Sequence, residues 1–197
     1  MDRELQSLMS WCDQVLDPSF ETGPAPTAEK IYAFAADTLE VARRTGHSLG
    51  TAESCTGGLV SGALTEVPGS SDVVMGGVTS YACSVKERVL GVDSAILDTV
   101  GAVSEACVIA MSLGACRTLG CDTSVAISGI AGPGGAVPGK PVGTVWFCSC
   151  AAAAESDPDP DPDPQCTSLV RHFSGDRGEV RAKSVATALA LLARACL

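Results

Sequence analysis

Apolar positions along this chain alternate between helical and extended spacing almost from end to end. Leu5, Leu8, Met9, Cys12, Val15 and Leu16 recur three and four apart, which predicts a helix over residues 2–16. Residues 17–26 break that pattern with three prolines. A second helix is predicted after Thr27, with Ile31, Phe34, Ala35 and Thr38 on one face and Arg43 and Arg44 suiting its C-terminus. Residues 47–53 read as a strand, Leu59 to Leu64 as a helix that stops at Pro68 and Gly69, and residues 78–81 as another strand. Ser84 and Glu87 stand in capping-box spacing before a predicted helix over 85–90. Ser104 is a candidate cap for a helix whose Val108, Met111, Ala115 and Leu119 share a face before Gly120 ends it. Residues 123–128 and 142–150 read as strands around a glycine-rich loop, 129–135, and residues 169–173 as a returning strand. Asp176 and Glu179 form a second capping box, opening a final helix with Val185, Leu189 and Leu192 on its inner face.

Strands alternating with helices predict a single three-layer α/β domain over residues 27–197, preceded by a helical arm and proline-containing linker over 1–26. The Asp-Pro repeat at 157–164 can neither pair in a sheet nor continue a helix, and reads as a solvated loop without a catalytic role.

Composition narrows the function classes. With 197 residues and 46 % hydrophobic positions the chain can bury one core, and it lacks both a leader-like start and the ~18-residue apolar run of a membrane helix. A soluble, cytoplasmic protein without a membrane partner is expected. The net charge of −10 argues against nucleic-acid partners, because phosphate contacts need a basic face. Ten cysteines lie scattered through helical and strand patterns, with two histidines and no CxxC pair, so they read as reduced core residues, and no metal site or cofactor is expected.

The segment TAESCTGG, residues 51–58, carries the strongest chemical signal, because its turn exposes hydroxyls beside approachable backbone N–H groups. Ser54 is the candidate nucleophile, and it needs a base. His47 and His172 have no spacing that favours them. Lys86, near a helix N-terminus whose dipole disfavours an ammonium, is the better candidate, with the Tyr81 hydroxyl as proton relay or oxyanion donor. Each has a plainer reading: Ser54 as a helix cap, Lys86 as a solvated first-turn residue, Tyr81 as a sheet-edge aromatic. Cys55 is a rival nucleophile or an inert buried thiol, and Glu53 either orients the site or satisfies nearby backbone donors. The amides from Cys55 through Thr56, Gly57 and Gly58 are candidate oxyanion donors. The second loop, with Gly129, Gly132, Gly134 and Gly135, is either an anion cradle or a tight turn. It lacks the lysine and hydroxyl of a P-loop, and Lys140 and Arg177 are its candidate phosphate partners or ordinary surface charges.

TAESCTGG at 51–58, PGSS at 68–71, GGVTSYACSVKERVLGV at 76–92, GAVSE at 101–105, SGIAGPGG at 128–135, KPVGTVWF at 140–147 and GDRGEVR at 175–181 together resemble, in order, the CinA C-terminal domain family, whose members include nicotinamide-nucleotide amidohydrolases. The resemblance covers about residues 30–197 and implies a three-layer α/β/α fold with a mixed central sheet and self-association as a dimer or larger homo-oligomer. It also implies cofactor-independent hydrolysis of nicotinamide mononucleotide to nicotinic acid mononucleotide and ammonia, in pyridine-nucleotide salvage. By motif position Ser54 is then the nucleophile, Tyr81 and Lys86 its activating partners, and the 129–135 loop a holder of the nucleotide. Ser128 stands where the motif often has threonine, which keeps a hydroxyl there. Longer relatives carry a pyrophosphatase-associated N-terminal domain, where this chain has the short arm. The competing expectation is a catalytically silent nucleotide-binding regulatory or assembly protein of the same fold.

Overall fold

A computed structural model describes residues 3–151 and 165–197. The Asp-Pro repeat lies outside the described residues. The elements run α1 (Arg3–Leu8), α2 (Ser10–Leu16), α3 (Ala28–Thr45), β1 (Leu49–Glu53), α4 (Leu59–Glu66), β2 (Val74–Thr79), α5 (Cys83–Leu90), α6 (Ser94–Thr99), α7 (Glu105–Leu119), β3 (Thr123–Gly129), β4 (Thr144–Ala151), β5 (Gln165–His172) and α8 (Arg177–Ala195).

The five strands form one mixed sheet in the order β2-β1-β3-β4-β5, with β2, β1 and β3 parallel and β4 and β5 antiparallel to their neighbours. Two-residue alternation sends successive side chains to opposite faces. Val125, Ile127, Val145 and Phe147 therefore join a core with α2, α3, α4 and α8, while Ala126, Cys148 and Cys150 join a second core with α5 and α7. Two helical layers around one sheet make the three-layer α/β fold.

Caps set most boundaries. Thr27 accepts from Lys30 N at 3.3 Å to open α3, Ser104 accepts from Cys107 N to open α7, and Asp176 and Glu179 form a reciprocal box at α8. The expected box at Ser84 and Glu87 does not form. Helix α5 starts two residues earlier, after Ala82, which leaves Ser84 inside its first turn. Strand β2 starts at Val74, four residues before the predicted start, because Gly76 and Gly77 supply no side chain to the alternating pattern. The arm is packed rather than free: Trp11 stacks on Phe34 with ring centroids 4.2 Å apart, and Cys12 and Val15 are buried in the α8-side core.

The cysteines are not uniformly reduced. Antiparallel register sets Cys150 directly opposite Cys166, and the two form a disulfide, a pairing that scattered positions along the chain could not reveal. Among the described residues, no helix is long and apolar enough to cross a membrane.

Candidate active site

Adjacent parallel strands β1 and β2 feed helices on opposite faces of the sheet: α4 packs in the α8-side core and α5 in the α7-side core. Divergent connections leave a crevice at the carboxyl ends of the strands, the usual ligand position in open α/β sheets. Ser54 follows β1 directly, its amide still donating to Ile127 O at 2.9 Å, and Lys86 reaches in from the other face on α5. Helical repeat explains the lysine's direction. Lys86 lies one turn before Leu90 on the buried side of α5, and both are 1 % exposed.

Lys86 Nζ is 3.0 Å from Ser54 Oγ, 2.5 Å from Ser80 O and 3.5 Å from Tyr81 O. Burial, the largest influence, holds its pKa below the ordinary lysine value of 10.5. Nζ donates to all three oxygens, and burial favours its neutral form, whose lone pair can instead turn to the Ser54 hydroxyl and take its proton. Close approach of α5 to α7 holds the lysine in place: a Cβ on Gly114 would come within 2.0 Å of Leu90 O, so any side chain there would push the end of α5 away.

The turn after Ser54 is braced from below by Glu53. Its carboxylate accepts from the amides of Gly58, Val60 and Ser61 at 2.9, 3.1 and 2.8 Å, satisfying the free N–H groups that open α4. Gly58, at φ 97°, supplies the left-handed residue from which the helix starts. Two open alternatives are decided as a result. Glu53, 1 % exposed, satisfies backbone donors as a helix-capping group, with its carboxylate turned away from any substrate, and Ser54 is not the cap because that place is taken. The amide of Gly58 is spent on Glu53, and that of Gly57 donates to Ser54 O at 3.1 Å. Cys55 and Thr56 keep the amides of this turn that no carbonyl or carboxylate takes up among the described residues.

Cys55 is 6 % exposed, and desolvation pushes its thiol up to about 12. That removes it as a rival nucleophile at neutral pH, since a thiol needs its thiolate form to attack. Tyr81 also departs from expectation. Its side chain is 65 % exposed and its hydroxyl makes no hydrogen bond among the described residues, so within one chain its carbonyl, not its phenol, meets Lys86. A proton relay through that phenol is therefore not built.

Ser128 is buried at the end of β3, where register sets Ile127 beside Glu53 and brings the second glycine loop next to the Ser54 turn. Gly129 packs against Thr144 and Val145, Gly132 is buried, and Gly134 and Gly135 are exposed. Arg177 donates to Gly132 O at 2.8 Å and Lys140 to Val100 O at 2.7 Å, so both expected phosphate partners brace loops through carbonyls. His172 binds Thr144 Oγ1 and His47 binds Thr123 Oγ1, and neither contacts Ser54.

One site residue escaped the sequence reading. Arg181, one helical turn beyond Arg177 on α8, donates to Thr56 O at 2.8 Å, so two arginines spaced by four tie the two loops to the same helix. The spacing in GDRGEVR was the available signal. Arg181 also lines a cavity of about 570 Å³ with Leu59, Gly62 and Glu66, which includes neither Ser54 nor Lys86.

Fold and site together define a class: an α/β domain with a buried Ser-Lys pair at the carboxyl edge of its parallel strands. The model of the CinA C-terminal domain matches residues 31–196, and the chain belongs to that family. It is 46 % identical over 147 residues to a CinA-like protein of Mycobacterium marinum, covering 75 % of this chain and 32 % of the relative. A CinA-like protein of Mycobacterium tuberculosis is 41 % identical over 158 residues, covering 80 % and 34 %. The chain thus spans about a third of the length of these curated relatives. Among solved structures, a CinA superfamily protein of Klebsiella pneumoniae superposes with a TM-score of 0.74 at 35 % identity, covering 87 % of this chain and 98 % of the other. The competence/damage inducible protein CihA of Agrobacterium tumefaciens gives 0.72 at 36 % identity, covering 85 % and 94 %.

Proposed function

We propose that this chain is a cofactor-independent amidohydrolase that converts nicotinamide mononucleotide to nicotinic acid mononucleotide and ammonia, within pyridine-nucleotide salvage in the cytoplasm. The observation that carries the reading is the 3.0 Å contact between a desolvated lysine amine and the Ser54 hydroxyl. A serine is a poor nucleophile until a base takes its proton, and burial, by lowering the Lys86 pKa, makes this lysine a better base for that step than a solvated one.

Lys86 Nζ takes the Ser54 proton as Oγ attacks the carboxamide carbon. The resulting oxyanion is stabilised by the Cys55 and Thr56 amides. Collapse breaks the C–N bond, and the proton on Nζ passes to the leaving nitrogen, which departs as ammonia. Water then gives a proton to Nζ and attacks the acyl-Ser54 carbonyl; collapse returns that proton to Ser54 Oγ and releases the carboxylic acid, which ionises to the carboxylate by giving its proton to the ammonia or to solvent. Tyr81, exposed beside the crevice, serves as a substrate contact, and the loop carrying Ser128, Gly132, Gly134 and Gly135 holds part of the nucleotide, with the chain working as a homodimer or larger homo-oligomer.

The test is ammonia release from nicotinamide mononucleotide by the purified chain, compared with its riboside and with free nicotinamide. Turnover of the nucleotide and its loss in Ser54→Ala support the reading. Wild-type turnover by Ser54→Ala would remove it. Nucleotide binding by calorimetry with no ammonia released would instead identify a silent nucleotide-binding protein.

A further inference from the structure

The reading above uses the carboxyl edge of the parallel strands and leaves the opposite edge of the sheet unexplained. There β4 carries Cys148 and Cys150 two residues apart, so both side chains leave the strand on the α7 side. Register sets Cys166 of β5 opposite Cys150. Alternation and register together bring three sulfurs to one place: Cys148 Sγ is 3.6 Å from Cys150 Sγ, and all three lie within 4.8 Å of one another. A CxC on a strand does what CxxC does at a turn, and a search for CxxC spacing passes over it.

Four thiolates 2.3 Å from a central zinc lie about 3.8 Å apart, as tetrahedral geometry requires. The Cys148 to Cys150 separation already matches that edge. Cys148 and Cys150 are fully buried, whereas Cys166 is partly exposed, so a fourth ligand from solvent has access from the Cys166 side. On the other side the cluster lies in the core formed with Cys107, Val108, Met111 and Ala115 of α7.

We infer that Cys148, Cys150 and Cys166, once reduced, form a three-thiolate site for a soft closed-shell cation such as zinc or cadmium, and that the disulfide is the ion-free state of this site. The interconversion balances with a dithiol reductant: Cys150 and Cys166 gain two electrons and two protons, and the dithiol becomes a disulfide. Ion binding then forms three metal–sulfur bonds and releases three thiol protons to solvent.

The experiment titrates cadmium into the full chain, reduced with a dithiol and freed of it under argon, following the thiolate-to-cadmium ultraviolet band and the ion content after gel filtration. One ion per chain is expected, with affinity at least tenfold weaker in both Cys148→Ala and Cys166→Ser and unchanged in Cys83→Ser, whose thiol is exposed elsewhere. Oxidation with diamide should release the ion. Circular dichroism of each variant checks that it is folded. The proposal is overturned if the reduced chain binds no ion, or if Cys148→Ala and Cys166→Ser retain full affinity. Loss confined to Cys116→Ser would likewise overturn it by moving the site to Cys116, whose Sγ lies 3.8 Å from Cys150 O, and the adjoining Cys121.

Discussion

Two lysines in this protein are 1 % exposed, and each lies beside a serine, yet the pairs are built for different work. Lys86 Nζ is 3.0 Å from Ser54 Oγ, and Lys183 Nζ is 3.5 Å from Ser174 Oγ. The difference lies in where the hydroxyl proton already goes. Ser174 Oγ donates to Glu21 O at 3.2 Å, and Lys183 donates to that carbonyl and to Ser174 O at 3.1 and 2.9 Å. Every polar atom of that cluster is used to pin the linker after α2 against the start of α8. Ser54 has no such competing acceptor among the described residues, and it stands on a turn whose next two amides are unclaimed. A buried lysine beside a serine is therefore a catalytic pair only when the serine proton has nowhere else to go and donors wait for the developing oxyanion.

That comparison breaks most decisively at the level of activity. Ser54→Ala and Lys86→Met should each lower ammonia release by about 10²–10⁴-fold or more, whereas Ser174→Ala should retain nearly all of it. The double variant should be little worse than either single one, because the two groups act as a unit. Equal losses in Ser174→Ala, measured by steady-state ammonia assay, would erase the distinction.

A pH profile sharpens the comparison next. Activity requires Lys86 neutral, so kcat/KM should fall as pH drops through its folded pKa, which burial places below 10.5. The same shift acts on stability. Unfolding returns the lysine to its ordinary affinity for protons, so the unfolded chain binds the extra proton between the lowered pKa and 10.5. Relative to Lys86→Met, the wild type should gain stability as pH rises through that window and lose it as pH falls. Denaturant melts at several pH values check the sign. A parallel pair of curves would show that Lys86 keeps its usual pKa.

Stability separates the two lysines in the opposite sense. Lys183→Met leaves Ser174 O without its donor and should cost about 1–3 kcal/mol, lowering Tm by several degrees. Glu53→Gln weakens the bracing of three amides and should cost about 1–2 kcal/mol, with a loss of activity because the Ser54 turn is no longer held. Smallest of all, Cys55→Ala should cost under about 1.5 kcal/mol and leave the chemical step intact, since its thiol is buried and protonated. Activity lost in Cys55→Ala but kept in Ser54→Ala would reverse the choice of nucleophile.

Much of the fold could be read before any coordinates. Thr27, Ser104 and the Asp176–Glu179 box mark helix starts that form where spacing predicts them, because a cap is a local event between residues two or three apart. Local reading failed where side chains were missing or where two frames competed. Glycines hid the start of β2, α6 is a single short helix, and α5 begins two residues before the start that Ser84 would set. At the site, Ser54 and Lys86 were both named from sequence and one of the two readings of Glu53 holds, whereas the Tyr81 relay was misread and Arg181 was missed. Their roles depend on which way a side chain turns and which amide it meets. Lys140 and Arg177 carried the charge a phosphate wants, but loop carbonyls take their donors in this structure.

By itself the sequence determined the alternation of strands and helices, the two-faced burial that follows from it, and the residue types gathered in each loop, since these rest on periodicity and local backbone preference. Tertiary structure alone decided that Lys86 loses its water and meets Ser54 from the opposite face of the sheet, and that Cys148, Cys150 and Cys166 converge at the other edge. Desolvation and strand register are set by segments distant in sequence, and no local pattern encodes either.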